Sequence, residues 1–216
     1  MIRVLVVDDH DLVRTGITRM LEDNQDIQVV GQAQSGEEAI KQVQALNPDI
    51  VLMDIRMPGM GGLEATQRIR KRFENTRVIA VTACDDDIYP TRFIEAGATG
   101  YITKGTGFAE MLQAIKQVHL GKPYLSAEIA QQMAMRSFQP AAQGSPFDEL
   151  SQRELQICIM IANGDTANDI ADVLCLSPKT INTYRYRAFE KLNVKTDVEM
   201  TLLAIRHHLV NHSTGS

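Results

Sequence analysis

Acidic residues stand at the ends of two apolar runs, and they are the side chains of this sequence best placed to do chemistry. Asp54 ends the run that begins at Ile50, and Asp8 and Asp9 follow an earlier run, Ile2–Val7. Clustered carboxylates repel one another unless a hard cation neutralises them, and Mg²⁺ prefers such oxygen ligands. A carboxylate beside Mg²⁺ can attack a phosphoryl group and form an aspartyl phosphate. Taken alone, Asp54 is equally consistent with an ordinary helix cap.

A hydroxyl group and an ammonium group follow two later apolar runs. Thr82 comes after Val78–Val81, and Lys104 comes shortly after Gly100–Ile102. In phosphoryl transfer, Lys104 and a metal ion would stabilise charge on the transferring oxygens, and the Thr82 hydroxyl would hydrogen-bond the product. The sequence has no pattern for a general base on a second substrate and no Walker lysine loop. The phosphate donor is therefore predicted to be another phosphoprotein or a small phosphate donor rather than bound ATP.

The first 121 residues must position these side chains, and they alternate between five predicted strands and five predicted helices. The alternation predicts an α/β domain, a doubly wound parallel sheet covered on both faces by right-handed crossovers. If the strands lie in the order 2-1-3-4-5, the first and third strands end together, so that Asp8, Asp9 and Asp54 converge with Thr82 and Lys104 on the same rim. The predicted strands are Ile2–Val7, Ile27–Val30, Ile50–Asp54, Val78–Thr82 and Gly100–Ile102.

The pattern weakens over residues 122–147, which are predicted to form a linker with a short helix. Ser126 could cap that helix, and Ile129 and Met133 would lie on its apolar side. A mobile stretch containing Pro, Gln and Gly, residues 139–146, follows it. The boundary between two domains is therefore placed within this linker.

Residues 148–216 are predicted to form a second, small all-α domain. Ser151 and Glu154 make a capping box at the start of its first helix. After a further short helix, Ser177 caps a third helix, and Pro178 occupies the first position of that helix. Two helices joined by a short turn make a helix-turn-helix.

The third helix of this domain has an apolar side and a polar side. Ile181, Tyr184, Ala188 and Leu192 share the apolar side, while Arg185 is one of the basic residues on the flanks. The polar side and the flanks carry groups that could read base edges and contact phosphates. A solvated basic face is the alternative, which the preceding helix and turn disfavour. The candidate DNA contacts are Lys179, Thr180, Asn182, Thr183, Tyr186, Arg187 and Lys191.

Charge is unevenly distributed along the chain. The formal net charge is −5 over 216 residues, which argues against a uniformly basic nucleic-acid binder. Residues 177–195 nevertheless hold five basic residues against one acidic residue. A local basic stripe in an acidic protein supports a nucleic-acid contact at the third helix.

Several other kinds of site and segment are disfavoured. Cys84, Cys158 and Cys175 are too far apart for a CxxC pair and odd in number, so neither a disulfide framework nor a zinc site is predicted. The five histidines, His10 among them, lie in no HExxH or similar frame. No run of about 18 apolar residues is present, and Met1–Arg3 leads into a strand rather than a signal peptide. The sequence predicts a cytoplasmic protein without membrane contact.

The first domain resembles the receiver domain of two-component response regulators, which has a flavodoxin-like sheet. The resemblance rests on Asp8–Asp9, Asp54 with Met57–Pro58–Gly59, Thr82–Ala83, and Tyr101 three residues before Lys104.

The resemblance to receivers implies roles for individual residues. A sensor histidine kinase would phosphorylate Asp54. Mg²⁺ would be held by Asp9, Asp54 and the main-chain carbonyl of Arg56, with Asp8 acting through water. Thr82 matches one member of the family's switch pair, and Tyr101 matches the other.

The second domain resembles the LuxR/FixJ-type helix-turn-helix domain of the NarL family. The matching positions are Leu150–Ser151, Arg153–Glu154, Gly164, Ile170–Ala171, Leu176–Ile181 and Lys191–Leu192. The family implies promoter double-stranded DNA as a partner. Tyr184 and Asn182 depart from the histidine and lysine common in the family, so base preference is not carried over. The run 177–187 is closest to the subgroup that contains GacA, UvrY and VarA, whose members activate small regulatory RNAs.

The sequence thus predicts a response regulator, not an enzyme, with a receiver domain over 1–121 and a DNA-binding domain over 148–216. Apolar residues of the last helix predict a homodimer when the protein is phosphorylated. They are Val198, Leu202, Leu203 and Ile205.

Two rival functions use the same residues. A phosphatase resembling the haloacid dehalogenase family would need a second Asp two positions after the nucleophile, where this chain has Arg56. An adaptor that contains a receiver, with or without RNA binding, would not bind duplex DNA in a sequence-specific way. A third reading keeps DNA binding and makes it independent of phosphorylation.

Overall fold

The chain forms two compact units, residues 1–137 and 138–216. A computed structural model describes residues 1–55, 57–82, 89–138, 145–174, 176–207 and 209–210. Each unit has its own hydrophobic core.

A parallel sheet forms the centre of the first unit, with the strand order β2-β1-β3-β4-β5-β6. The five strands predicted from sequence are present in the predicted order, so the expectation of a doubly wound sheet is confirmed. The number of strands was wrong, because a sixth strand extends the edge beyond β5. That strand has two residues, too few for a hydrophobic period to appear in the sequence. The strands are β1 Ile2–Val7, β2 Ile27–Ala33, β3 Ile50–Asp54, β4 Arg77–Thr82, β5 Gly100–Thr103 and β6 Tyr124–Leu125.

In the described part of the first unit, six helices accompany these strands. The fourth helix is described from Tyr89. The start that its sequence pattern predicts, near Asp86, lies outside the described residues. The helices are α1 Asp11–Glu22, α2 Gly36–Leu46, α3 Gly61–Arg72, α4 Tyr89–Glu95, α5 Phe108–His119 and α6 Ala127–Phe138.

Apolar side chains on both faces of the sheet explain why its strands read as continuous hydrophobic runs. In β1, Val4 and Val6 join a core cluster with residues of α1 and α5. Leu5 and Val7 point the other way and join a cluster with residues of α2 and α3. Because both faces are buried, the polar ends of the strands are the places where this sheet can carry chemistry.

The predicted linker helix is present as α6, but it packs on the first unit. Ile129 is 2% exposed and belongs to a core cluster with residues of β5 and α4. Ser126 precedes α6, yet its buried hydroxyl has no hydrogen-bond partner among the described residues, so the expected side-chain cap is absent. Residues 139–144 of the predicted mobile stretch lie outside the described ranges.

The second unit is helical, as predicted. Ser151 and Glu154 form a reciprocal capping box at the start of α7. Ser177 caps α9 by accepting a hydrogen bond from the Thr180 amide, and Pro178 is the first helical residue. A short 3₁₀ helix, Pro146–Glu149, comes before four helices: α7 Gln152–Ala162, α8 Ala167–Leu174, α9 Pro178–Leu192 and α10 Asp197–Arg206.

The apolar side of α9 packs into this unit. Ile181, Ala188 and Leu192 are buried, as the helical spacing predicted, and Tyr184 is half-buried. Phe189, which the spacing argument left out, is buried as well. Across the described part of the chain, the helices are all too short or too polar to cross a membrane.

Candidate functional site

The carboxylates predicted to converge do lie together at the carboxyl edge of the sheet. Strands β1 and β3 are parallel neighbours with Val7 opposite Met53, so Asp8 and Asp54 both stand one residue past that pair. Side-chain oxygens of Asp8, Asp9 and Asp54 and a ring nitrogen of His10 all lie within 4.8 Å of one another.

Lys104 supplies the positive charge in this cluster. Its Nζ lies 2.8 Å from Oδ2 of Asp8 and 3.0 Å from Oδ2 of Asp54. Burial alone would lower the pKa of Lys104, but its contacts with Asp8 and Asp54 outweigh burial and raise that pKa. The ammonium therefore stays charged while it bridges two carboxylates. We call Asp8, Asp9, His10, Asp54 and Lys104 the acid pocket.

Asp54 is held in an environment that disfavours its charged form. Its side chain is 4% exposed. Burial and the neighbouring charge of Asp8 raise its pKa to about 6, although Lys104 acts in the opposite direction. A carboxylate that is buried beside other acids gains stability from a cation or from loss of its charge. The acid pocket is therefore prepared to accept either a metal ion or covalent modification.

Backbone packing fixes the position of Asp54. The amide of Gly62, near the start of α3, donates to the Ile55 carbonyl at 3.2 Å. A Cβ atom on Gly62 would overlap the Asp54 carbonyl oxygen, so only glycine lets α3 approach this closely. On the other side, the half-buried guanidinium of Arg14 donates to the Asp8 carbonyl at 2.7 Å.

Thr82 and Tyr101 are buried next to this edge. Thr82 is the last residue of β4, and its carbonyl accepts a hydrogen bond from the Lys104 amide. Tyr101 is fully buried on β5, where its ring meets Phe93 edge-on with centroids 6.1 Å apart. The structure thus places Thr82 and Tyr101 on adjacent strands near the acid pocket. The predicted main-chain ligand Arg56 lies outside the described residues.

His10 is a member of the acid pocket that the sequence reasoning missed. Its Nδ1 lies 3.1 Å from Oδ1 of Asp9 and 3.4 Å from Oδ1 of Asp8. Motifs such as HExxH describe spacings between metal-binding histidines, so they do not cover a histidine beside two acids. The position of His10 directly after Asp8–Asp9 was the available signal.

The donor set fits a hard divalent cation. Three carboxylates that lie this close together offer the oxygen ligands that Mg²⁺ takes, and Asp8 and Asp54 are almost fully buried. No metal-binding histidine pair accompanies them in the described residues, so a zinc-type site is not indicated.

The polar side of α9 provides a second candidate site. Lys179, Thr183, Tyr186 and Arg187 are exposed, and we call these four residues the basic helix face. Tyr186 is 61% exposed. The other predicted contacts on this side, Thr180 and Asn182, are half-buried.

Two basic residues of α9 are paired within the second unit. Lys191 donates to the buried carboxylate of Glu154 at 2.6 Å, and Arg185 makes a two-point ion pair with Asp197 at the start of α10. Burial alone would raise the pKa of Glu154, but hydrogen bonds from Lys191 and Ser151 lower it. Lys191 and Arg185 therefore connect neighbouring helices, and the phosphate contacts that the sequence suggested for both stay a prediction.

Comparison with known proteins shows a family for each part of the chain. Residues 4–116 match the family described as response regulator receiver domain, and residues 148–204 match the bacterial regulatory proteins of the luxR family. The chain is 60% identical to the response regulator GacA of Pseudomonas viridiflava, over 99% of this chain and 100% of that protein. It is 50% identical to the response regulator UvrY of Escherichia coli K12, over 100% of this chain and 99% of that protein.

A solved structure is also similar. It is the crystal structure of a LuxR-family two-component response regulator from Aurantimonas sp. SI85-9A1. The TM-score is 0.61 and the sequence identity 37%, and the match covers 63% of this chain and 98% of that chain.

Proposed function

Because this chain belongs to the two-component response regulators that join a receiver domain to a LuxR-family DNA-binding domain, we propose that phosphorylation of Asp54 controls its binding to promoter DNA. The observation that carries the proposal is the contact of Lys104 with both Asp8 and Asp54 inside a buried acid pocket. A cation between two buried carboxylates is the arrangement needed to hold a phosphoryl group on one of them.

Asp54 is the proposed phosphoacceptor and the other members of the acid pocket assist it. Its carboxylate oxygen would attack the phosphorus atom of a phosphohistidine or of a small donor such as acetyl phosphate. The P–N or P–O bond of the donor would break, and the histidine imidazole or acetate would leave. Lys104 would then contact the phosphoryl oxygens. Asp8, Asp9 and Asp54 would hold Mg²⁺ together with the main-chain carbonyl of Arg56. When bound, the ion neutralises charge on the transferring oxygens.

Thr82 and Tyr101 are the proposed switch residues. A phosphoryl group on Asp54 adds roughly −1.5 to −2 charges, by analogy with phosphoserine. The Thr82 hydroxyl lies on the adjacent strand and would hydrogen-bond that group. Tyr101 lies beside β4, so a change at Thr82 alters the space next to its ring. Two arrangements of this pair would give the receiver two states whose populations phosphorylation shifts.

The basic helix face is the proposed DNA-reading surface. Lys179 and Arg187 would contact phosphates, while Thr183 and Tyr186 face the base edges in the major groove. Val198 is 69% exposed and contributes to the apolar surface predicted to form a homodimer. The other residues of that surface are Leu202, which is exposed, and Leu203 and Ile205, which are half-buried.

Similarity to one subgroup of the family suggests the phosphodonor, the target promoters and the location of the protein. Relatives named GacA and UvrY share 50 to 60% of their residues with this chain over its whole length. We infer that a sensor histidine kinase in the same cell is the phosphodonor. Promoters of small regulatory RNAs are the proposed targets, and the cytoplasm is the proposed location.

Replacement of Asp54 by Ala tests the phosphoacceptor. The variant should incorporate no label from radioactive acetyl phosphate and should stay monomeric when that donor is added. Asp26→Ala is the matched control, because Asp26 is an exposed acid that pairs with Lys116 away from the acid pocket. Labelling and dimerisation of the Asp54 variant at wild-type levels would refute the proposal.

A further inference from the structure

Strand β6 attaches the start of α6 to the strand that carries Tyr101. In the parallel pair of β5 and β6, Leu125 lies opposite Tyr101. The amide of Ser126 donates to the Tyr101 carbonyl at 3.1 Å. The segment that leads into α6 is therefore hydrogen-bonded to the main chain of Tyr101, the proposed switch residue.

Side chains of α6 pack in the buried cluster that contains the Tyr101 ring. Ile129, Tyr101 and Phe93 belong to one buried cluster, in which the Tyr101 ring meets Phe93 nearly at a right angle. Leu125 and Met133 pack against this cluster from the same segment. The Tyr101 ring is thus part of the apolar cluster in which α6 packs. If that ring left the cluster, α6 would lose part of its buried contact.

The strand register connects this cluster to the acid pocket. Ala80 lies opposite Tyr101 in the pair of β4 and β5, and Ala80 belongs to the same cluster as Tyr101. Side chains two residues apart on a strand point the same way, so Thr82 lies on the face of β4 that Ala80 occupies. Thr82, at the edge that carries Asp54, therefore lies on the side of the sheet where Ala80, Tyr101 and Ile129 form one cluster.

We propose that α6 docks on the receiver when Tyr101 is buried, and that this docking carries the phosphorylation signal toward the second unit. The inference rests on the proposed function, because it takes Thr82 and Tyr101 to be the switch. A Thr82 side chain drawn toward a phosphoryl group leaves more room beside β4 for the buried Tyr101 ring. Phosphorylation then favours the docked α6. By thermodynamic linkage, a well-docked α6 favours phosphorylation equally.

Hydrogen exchange of the full-length wild-type chain tests this directly. Beryllofluoride with Mg²⁺ serves as the probe, because it mimics a phosphoryl group on a carboxylate. Amide protons in the second half of α6 should exchange at least about 5-fold more slowly when the mimic is bound. Unchanged or faster exchange in α6, with the mimic bound, would overturn the inference.

Variants on α6 test the reverse coupling. Ile129→Ala should weaken beryllofluoride binding by a factor of about 5, measured from the ¹⁹F signal of the bound mimic. Met135→Ala is the matched control, since Met135 is 63% exposed on the same helix, and it should bind as the wild type does. In a Tyr101→Ala background, Ile129→Ala should have no further effect. Equal binding by Ile129→Ala and the wild type would contradict the coupling.

These measurements separate failure of the inference from failure of the proposed function. If the wild type binds no beryllofluoride, or if Asp54→Asn binds it equally well, the phosphoacceptor assignment fails. If the wild type binds it through Asp54 while α6 does not respond, the assignment stands and the role of α6 is wrong. Should Ile129→Ala fold poorly, the exchange experiment on the wild type still decides the question.

Discussion

The acid pocket and the basic helix face hold their charges in opposite ways. In the acid pocket, Asp8, Asp54 and Lys104 are largely buried. The single ammonium of Lys104 lies 2.8 Å from Oδ2 of Asp8 and 3.0 Å from Oδ2 of Asp54, so it offsets only part of their negative charge. On the basic helix face, Lys179 and Arg187 are exposed. The acid pocket is thus arranged to respond to a change of charge at a single side chain, and the basic helix face to contact an extended polyanion.

The two regions also differ in how well a sequence reveals them. Topology alone brings strand ends together, so Asp8, Asp9 and Asp54 could be placed from the order of the strands. A basic residue on the polar side of a helix, by contrast, is not necessarily free to contact DNA. Lys191 and Arg185 have the right charge and spacing for DNA, but carboxylates on neighbouring helices already bind them.

The largest expected effect concerns the tightly packed backbone under the acid pocket. Gly62→Ala should lower the free energy of unfolding by about 3 kcal/mol, because its Cβ would overlap the Asp54 carbonyl oxygen. Gly16→Ala is the control, since Gly16 is also a helical glycine but has open space around it. The free energy of unfolding of Gly16→Ala should rise by about 0.5–1 kcal/mol. Urea titrations measure both changes, and equal stability of the two variants would show that the close approach is unimportant.

The next effect is the pH dependence that burial gives to Asp54. Its pKa is about 6 in the folded chain against a usual value of 3.8. Between these two pH values the folded state binds more protons than the unfolded state. The stabilisation that comes from protonated Asp54 is therefore complete below pH 4 and is lost as the pH rises through about 6. Without divalent ions, Asp54→Asn should therefore be about 3 kcal/mol more stable than the wild type at pH 7.5.

Denaturant titrations in a chelating buffer follow that difference across pH. The advantage of Asp54→Asn should shrink toward pH 4 and should also shrink when Mg²⁺ is added at pH 7.5, because the ion binds the wild-type carboxylate. A difference that is constant from pH 4 to 7.5 would show that Asp54 has an ordinary pKa.

A smaller effect distinguishes basic residues that bind DNA from those that bind their own fold. Lys191→Ala should lower the free energy of unfolding by about 1 kcal/mol, because it leaves the buried Glu154 carboxylate without its cation. Arg187→Ala should change stability by less than about 0.5 kcal/mol. It should instead reduce the slope of log K against log salt by about 0.9, the value for one lost phosphate contact.

Thermal unfolding and DNA titrations at several salt concentrations, on the same two variants, make this comparison. If Lys191→Ala reduces the salt slope and leaves stability unchanged, its ion pair with Glu154 opens when DNA binds. If neither Arg187→Ala nor Lys179→Ala alters DNA affinity, the basic helix face is not the DNA-reading surface and an adaptor function gains support.

Much of the fold could be predicted because local signals and topology agreed. Hydrophobic runs located the five longer strands, and the caps at Ser151 and Ser177 marked the starts of α7 and α9. Strand β6 was not predicted because it has only two residues. The packing of α6 on the first unit was not predicted because it depends on residues some 30 positions earlier, such as Tyr101. His10 escaped because its partners are acids that adjoin it in sequence, and no motif describes that arrangement.

The most direct test of the central claim is the affinity of the full-length chain for a promoter fragment, with and without beryllofluoride and Mg²⁺. The wild type should bind at least about tenfold more tightly with the mimic, a coupling within the usual range for linked sites. Asp54→Asn should show one affinity in both conditions. An equal gain in the two proteins, or no gain in the wild type, would contradict control of DNA binding through Asp54.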